Sequence, residues 1–194
     1  AFCARAAEQL ESLDCSDATR AEVEKTCAAL RQEVDVRAGA LHEVRVRAAH
    51  DLVERVTEAL RFLDMPKVRM EVRVANMAPG ENGADDVEFL IATNPGEPVQ
   101  PLARIASGGE LSRMMLALRS ALDDQDGATT VIFDEIDTGV SGKTSRKIGL
   151  KLKETARGSQ VLCVTHSAQI ASLADCHYLI TKTERDGRAE TAVT

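Results

Sequence analysis

The stretch TTVIFDEIDTGVSGKT, Thr129 to Thr144, decides how the rest of the chain is read. It opens on β-branched and aromatic residues, Thr129 to Phe133, which favour a strand. It closes on Gly142-Lys143-Thr144, the tail of a phosphate-binding loop. Such a loop needs G-x-x-x-x-G-K-[ST], because two glycines let successive backbone N–H groups curl around phosphate oxygens. Counting back from Gly142, the first glycine should fall at position 137, which is Asp137. Asp134, Glu135 and Asp137 would set three negative charges against the phosphates. No other segment fits the pattern, so the chain carries no phosphate cradle of its own.

The same acids fit a different role. An apolar strand ending in Asp-Glu has the form of a Walker B element, and ligands of such sheets bind in the crevice at the carboxyl ends of the strands. There Asp134 would hold Mg²⁺ through water, as a hard oxygen ligand. Glu135 would stand beside the terminal phosphate and orient or deprotonate the attacking water. The bland alternative is two solvated acids at a strand end, and neighbouring segments bear on the choice.

Upstream lies RIASGGELSRMML, residues 104–116. Ser107 and Glu110 have the spacing of a capping box ahead of an amphipathic helix. Ser107-Gly108-Gly109 also strips side-chain bulk from the positive end of that helix, leaving N–H donors open to an anion. Downstream lies VLCVTHSAQ, residues 161–169, where an apolar strand delivers His166 to its carboxyl end. If the two strands are neighbours, His166 shares a crevice with Asp134 and Glu135 and reaches a terminal phosphate there. A lone histidine after a strand is otherwise a surface or capping residue.

Composition sets outer bounds. Of 194 residues, 44% are apolar but only 3% aromatic, with no Trp. That supports a core and leans towards long helices. A formal charge of −7 argues against a surface that coats nucleic acid generally. No run of about eighteen apolar residues exists, so no membrane span is expected. The chain begins Ala-Phe-Cys without an initiator Met, which reads as a segment of a longer protein. Five Cys without a tight framework suit a reducing cytoplasm. A zinc reading of Cys163, His166, Cys176 and His177 meets a geometric objection. Strand side chains alternate faces, so Cys163 and His166 diverge.

The chain reads as two regions. Residues 1–64 contain no Pro and one Gly, Gly39. Val23, Cys27, Leu30, Val34, Ala38 and Leu41, then Val44, Ala48, Leu52, Val56, Leu60 and Leu63, recur at steps of three and four. Thr19 with Glu22 reads as the start of this helix, roughly 65 Å long at about 1.5 Å per residue. LDCSD, residues 13–17, interrupts the pattern and leaves residues 1–13 as a separate helix or the end of one. So narrow a seam calls for a partner helix, hence a coiled-coil arm.

Residues 65–194 have another texture. KVRMEVRVAN (67–76) alternates as a half-buried strand, MAPGENGADD (77–86) reads as a turn, and VEFLIAT (87–93) as a second strand of a hairpin. NPGEPVQP (94–101) has three Pro and excludes regular helix. Then come helix 108–124, strand 129–135, helix 141–157, strand 160–165, short helix 167–174 and strand 177–183. An Asp186-Gly187 turn leads into a last strand. Alternating strands and helices imply a mainly parallel sheet covered by helices.

ASGGELSR, VIFDEIDTGVSG and VTHSAQIASLAD, in that order, resemble the signature motif, Walker B with D-loop, and switch histidine of the ABC-type ATPases. FLIATNPGEPVQPLARIASGGELSR is similar in detail to the bacterial DNA-repair relatives of the SMC proteins. The resemblance covers roughly residues 65–183. It departs at Ser167-Ala168, where that family's pattern has Leu-Pro. It implies an α/β fold, the C-terminal lobe of an ABC/SMC-type ATPase head, preceded by a long coiled-coil helix and a β-hairpin. It implies that the Walker A loop sits on an N-terminal lobe of the same protein, so that this segment alone would be inactive.

By the same resemblance, two heads would sandwich ATP and Mg²⁺ in a homodimer. Ser107, Gly108, Gly109 and Glu110 would serve the opposite head's nucleotide. Asp134 (metal), Glu135 and His166 (catalysis) would serve their own, with Asp137 in the D-loop at the dimer seam. The task implied is DNA double-strand break repair in the bacterial cytoplasm, associated with the nucleoid, with DNA ends or single strands as partners and no membrane. DNA contact is poorly marked: Lys143, Arg146, Lys147, Lys151 and Lys153 form a basic helix face without aromatic residues for stacking. Two rival classes are a transporter nucleotide-binding subunit and a non-enzymatic coiled-coil scaffold. The first needs a phosphate loop in the same compact domain. The second has no use for Glu135 and His166.

Overall fold

A computed structural model describes residues 2–104, 108–122, 130–185 and 188–194. The chain forms two compact units, residues 1–49 with 73–88, and residues 50–72 with 89–194. No single cut near residue 64 separates them, because the helix residues Val56, Ala59, Leu60 and Leu63 belong to the core of the second unit.

Helix α1 runs unbroken over Phe2–Phe62, 61 residues, roughly 90 Å. The expected break at residues 13–17 is absent, and Thr19 is an interior residue rather than a cap. Ser and Asp inside a helix cost only about 0.5 kcal/mol each relative to Ala, and neither Gly nor Pro occurs before Gly39, so nothing there is strong enough to stop propagation. In the first unit the apolar seam lies open, with Val23, Leu30, Val34 and Val44 all exposed.

Strands β1 (Arg69–Gly80) and β2 (Gly83–Ala92) are neighbours in a three-stranded sheet completed by β3, Gln100–Pro101. The connection between β1 and β2 is two residues, Glu81-Asn82, far shorter than the turn read over 77–86. Gly83, at φ 99°, supplies the left-handed step that so tight a reversal needs. Within the first unit a buried carboxylate holds this hairpin to α1. Asp85 contacts His42 Nδ1 at 2.6 Å and accepts from Arg45 at 2.9 Å, while Arg45 also donates to the Asn82 carbonyl.

The second unit gathers around one core. Leu60 and Leu63 from the end of α1 and Met70 and Ile91 from β1 and β2 belong to it. So do Met114, Leu116 and Ala117 from α2 (Gly108–Ala121) and Ile148 and Leu152 from α3 (Gly142–Thr155). Strands β4 (Thr130–Phe133) and β5 (Gln160–Cys163) pair in parallel, with Phe133 opposite Cys163. Helix α3 connects them, its start capped by the Ser141 hydroxyl accepting from Thr144 N–H. A short α4, Ala168–Ala171, follows β5.

The last strands, β6 (Ile180–Arg185) and β7 (Arg188–Val193), pair antiparallel. The Asp186-Gly187 turn expected between them lies outside the described residues. Parallel pairing, expected to dominate, is thus confined among the described residues to β4–β5. The hairpin connections of two residues leave β1–β2 and β6–β7 no geometry but the antiparallel one.

Where α1 ends, Asp64 adopts a left-handed backbone, φ 59°, and accepts from Thr144 Oγ1 at 2.8 Å and Lys147 Nζ at 2.6 Å. Lys147 and Lys151 also sit 5.8 and 5.6 Å from the centre of the Phe62 ring, a cation–π distance. The basic face of α3 is therefore largely engaged: Lys147 with Asp64, Lys151 with Glu154, and Lys153 with Asp175.

Candidate active site

The site is built where β4 and β5 end. Parallel pairing sends both strands to one edge, continued by Val164 N–H donating to the Phe133 carbonyl at 2.9 Å. Asp134 follows β4 directly and is exposed. Its Oδ1 accepts from the Glu135 N–H at 2.8 Å, and its carbonyl accepts from Ser112 Oγ of α2 at 2.8 Å.

Glu135 then takes a left-handed conformation, φ 55°. For a residue with a Cβ this costs about 1–2 kcal/mol, and it must be held by its surroundings. Two contacts do so. The Glu135 carbonyl accepts from Thr138 N–H at 3.1 Å. The buried Arg113 donates to the carbonyls of Ile136 and Thr138 at 3.2 and 3.0 Å.

The glycine end of α2 is fitted against this turn. A methyl group on Gly108 would lie 2.5 Å from Glu135 Oε2. One on Gly109 would lie 3.0 Å from both the Glu135 carbonyl oxygen and Thr138 Cβ. Gly109 is therefore required by close approach, while Gly108 leaves room for the Glu135 carboxylate, which rests at the N-terminal end of α2. Glu110 is half-buried in the first turn. Ser107 lies outside the described residues.

Asp137 is buried, with its side chain turned into its own chain. Its Oδ2 accepts from the Thr165 hydroxyl, from His166 N–H at 3.1 Å and from Ser167 N–H at 3.0 Å. Burial works to raise its pKa, but the donors from Thr165 and the His166 backbone outweigh it and hold the carboxyl below its ordinary value. On this turn Asp134, Glu135, Thr138 and Gly139 are exposed, while Ile136 and Asp137 are buried. His166 itself is exposed, with Nδ1 3.5 Å from Asp137 Oδ2. Behind it, burial pushes the Cys163 thiol up to about 11, with Asp137 and Asp134 adding to the effect.

The structure thus brings Gly108, Gly109, Asp134, Glu135, Asp137 and His166 to one end of the β4–β5 pair. Sequence reasoning missed Arg113 and Thr165. Arg113 had a readable signal, a charged residue four after Gly109 on the same face of a helix that buries Met114 and Ala117. Among the described residues no three metal-ligating side chains converge. Asp134, an exposed hard-oxygen donor at the end of β4, is of the kind that Mg²⁺ takes. That ion is held through one or two carboxylates together with water and phosphate oxygens, not by a protein cage.

No family model matches the chain. Solved structures with the same fold are head domains. The Smc head domain with a coiled coil and joint from Pyrococcus yayanosii superposes with a TM-score of 0.54 at 22% identity, covering 77% of this chain and 28% of that one. The Smc head domain with an extended coiled coil from Pyrococcus furiosus, bound to the C-terminal domain of ScpA, gives 0.53 at 21% identity, covering 79% and 37%. At that identity the likeness speaks for the fold, which is that of the C-terminal lobe of an SMC-type head.

Closer sequence relatives narrow the class. DNA repair protein RecN of Halalkalibacterium halodurans is 46% identical over 191 residues, 96% of this chain and 34% of the relative. RecN of Bacillus subtilis is 37% identical over 208 residues, 99% and 36%. The chain belongs to the RecN family, and it spans about a third of the length of the curated relatives it matches.

Proposed function

We propose that this chain supplies the C-terminal lobe of a Mg²⁺-dependent ATPase head in a longer protein, and that two such heads close on ATP during DNA double-strand break repair. The reading rests on RecN kinship and on one geometric observation. Asp134, Glu135 and His166 emerge at a single edge of the β4–β5 pair, where the bare glycine end of α2 also arrives.

In this reading Asp134 holds Mg²⁺, which supplies charge neutralisation on the phosphate oxygens. Glu135 accepts the proton of the attacking water, and His166 donates to the terminal phosphate. Ser107, Gly108, Gly109 and Glu110 present helix N–H donors to the nucleotide of the opposite head, with the turn at Asp137 beside the seam. The phosphate loop that this sequence lacks comes from an N-terminal lobe of the same protein. DNA is engaged by the assembled protein. The α3 lysines are poor candidates for that contact, since three of them already have acidic partners. No helix among the described residues is long and apolar enough to cross a membrane, and the reading places the protein in the bacterial cytoplasm at the nucleoid.

Glu135→Gln in the full-length protein tests this. Turnover should fall at least about a hundredfold, the scale on which general bases act. ATP-bound dimers should accumulate, measured by light scattering with and without ATP. Unchanged turnover would overturn the assignment. A pure scaffold would keep one oligomeric state whether or not ATP is present.

A further inference from the structure

We propose that Asp137 is a positioning residue for His166, holding that histidine's backbone and ring so that Nε2 is presented to the crevice. The inference rests on the ATPase reading above and adds to it a named device that sets one of its groups.

One oxygen of Asp137 gathers the whole of the Thr165–Ser167 segment. Oδ2 accepts from the Thr165 hydroxyl, the His166 N–H and the Ser167 N–H. Thr165 Oγ1 in turn accepts from Ser167 N–H at 3.0 Å, which closes the loop on itself. A segment directly after a strand would otherwise expose these donors to water and be free to adopt many conformations. Here they are consumed by a carboxylate whose side chain is only 2% exposed.

The same oxygen lies 3.5 Å from His166 Nδ1, while the ring is 82% exposed. That separation is longer than a hydrogen bond, so the carboxylate acts on the ring through its charge, which favours a proton on the nitrogen nearer to it. Nε2 is then the nitrogen left to meet a ligand. Asp137 belongs to the turn that also carries Asp134 and Glu135. The hydrogen bonds therefore tie the β4 side of the crevice to the β5 side within one chain. Arg113 fixes the same turn from the other direction, through the carbonyls of Ile136 and Thr138. The position of His166 is thereby slaved to the turn bearing the two acids.

A double-mutant cycle in the full-length protein separates this from simple structural support. Variants Asp137→Ala, His166→Ala and the double variant are compared by ATP turnover, with Asp137→Asn as a milder substitution should the alanine variant fold poorly. The expected result is a fall in kcat of at least about tenfold for each single variant, with KM for ATP within about twofold. The double variant should be no slower than His166→Ala alone, because the carboxylate has nothing left to position. Multiplicative losses, or a fall in thermal midpoint that accounts for the lost activity in Asp137→Asn, would overturn the inference while leaving the ATPase reading standing. A wild-type protein without ATP turnover would sink that reading instead. If His166→Ala were fully active, the positioning role would fall together with the histidine's contact to phosphate, while the assignment of Asp134 and Glu135 would stand.

Discussion

Glu135 and Gly108 occupy one small space: a Cβ at position 108 would lie 2.5 Å from Glu135 Oε2, within a single chain. Gly109, one residue on, is crowded by atoms fixed in the turn, at 3.0 Å from both the Glu135 carbonyl oxygen and Thr138 Cβ. The distinction decides what each substitution does. A carboxylate can swing, so Gly108→Ala should change stability by no more than about 0.5 kcal/mol while impairing turnover. The strained turn cannot move so cheaply, so Gly109→Ala should destabilise by about 1–3 kcal/mol. Thermal midpoints of the two variants check the order, and equal midpoints would refute it.

The Asp64 clasp gives a pH signature. Its hydrogen bonds to Lys147 and Thr144 hold the carboxyl below its ordinary 3.8. A depressed folded-state pKa contributes stability that is fully present above the unfolded value and lost as pH falls through the folded one. Asp64→Asn keeps a residue that tolerates the left-handed backbone but removes the charge. Wild type should exceed this variant by about 0.5–1 kcal/mol near neutrality, a small figure because the Asp64 side chain is 39% exposed and solvent screens the pair. The gap should close as pH drops below 3.8. Denaturation curves at neutral and acid pH measure it, and a gap that widened with acid would contradict the linkage.

Asp85 makes a separate, local prediction in the first unit. Its carboxylate satisfies both His42 and Arg45. Asp85→Ala should raise amide hydrogen exchange around Glu81–Asn82 and along α1 near residues 42–45, leaving exchange in α2 and α3 unchanged. Exchange mass spectrometry resolves these segments. Unaltered exchange at the hairpin would show that the strand ladder alone holds it.

How far the sequence carried these conclusions varies with the physics involved. Asp134, Glu135 and His166 are legible because each follows an apolar run, TTVIF before the two acids and VLCVT before the histidine. The strands end earlier than their composition suggested, since Asp134 and Glu135 leave the ladder to form the turn. The break in α1 was misread because Ser and Asp are weak, not absolute, helix breakers. Arg113 and Thr165 escaped notice because their work is to satisfy carbonyls and a carboxylate across a turn. The partners depend on the three-dimensional path of the backbone; only Arg113 leaves a trace in the spacing, as a charge on the buried face of α2.

The four-residue β4–β5 ladder has a solvent-facing side, with Ile132, Leu162 and Val164 uncovered, and among the described residues neither strand has a second neighbour. Strand flanks without a partner among the described residues, beside an apolar surface, make a template for an extended segment. Concentrated solutions of this polypeptide should therefore precipitate, and charged substitutions at Ile132 or Leu162 should relieve it.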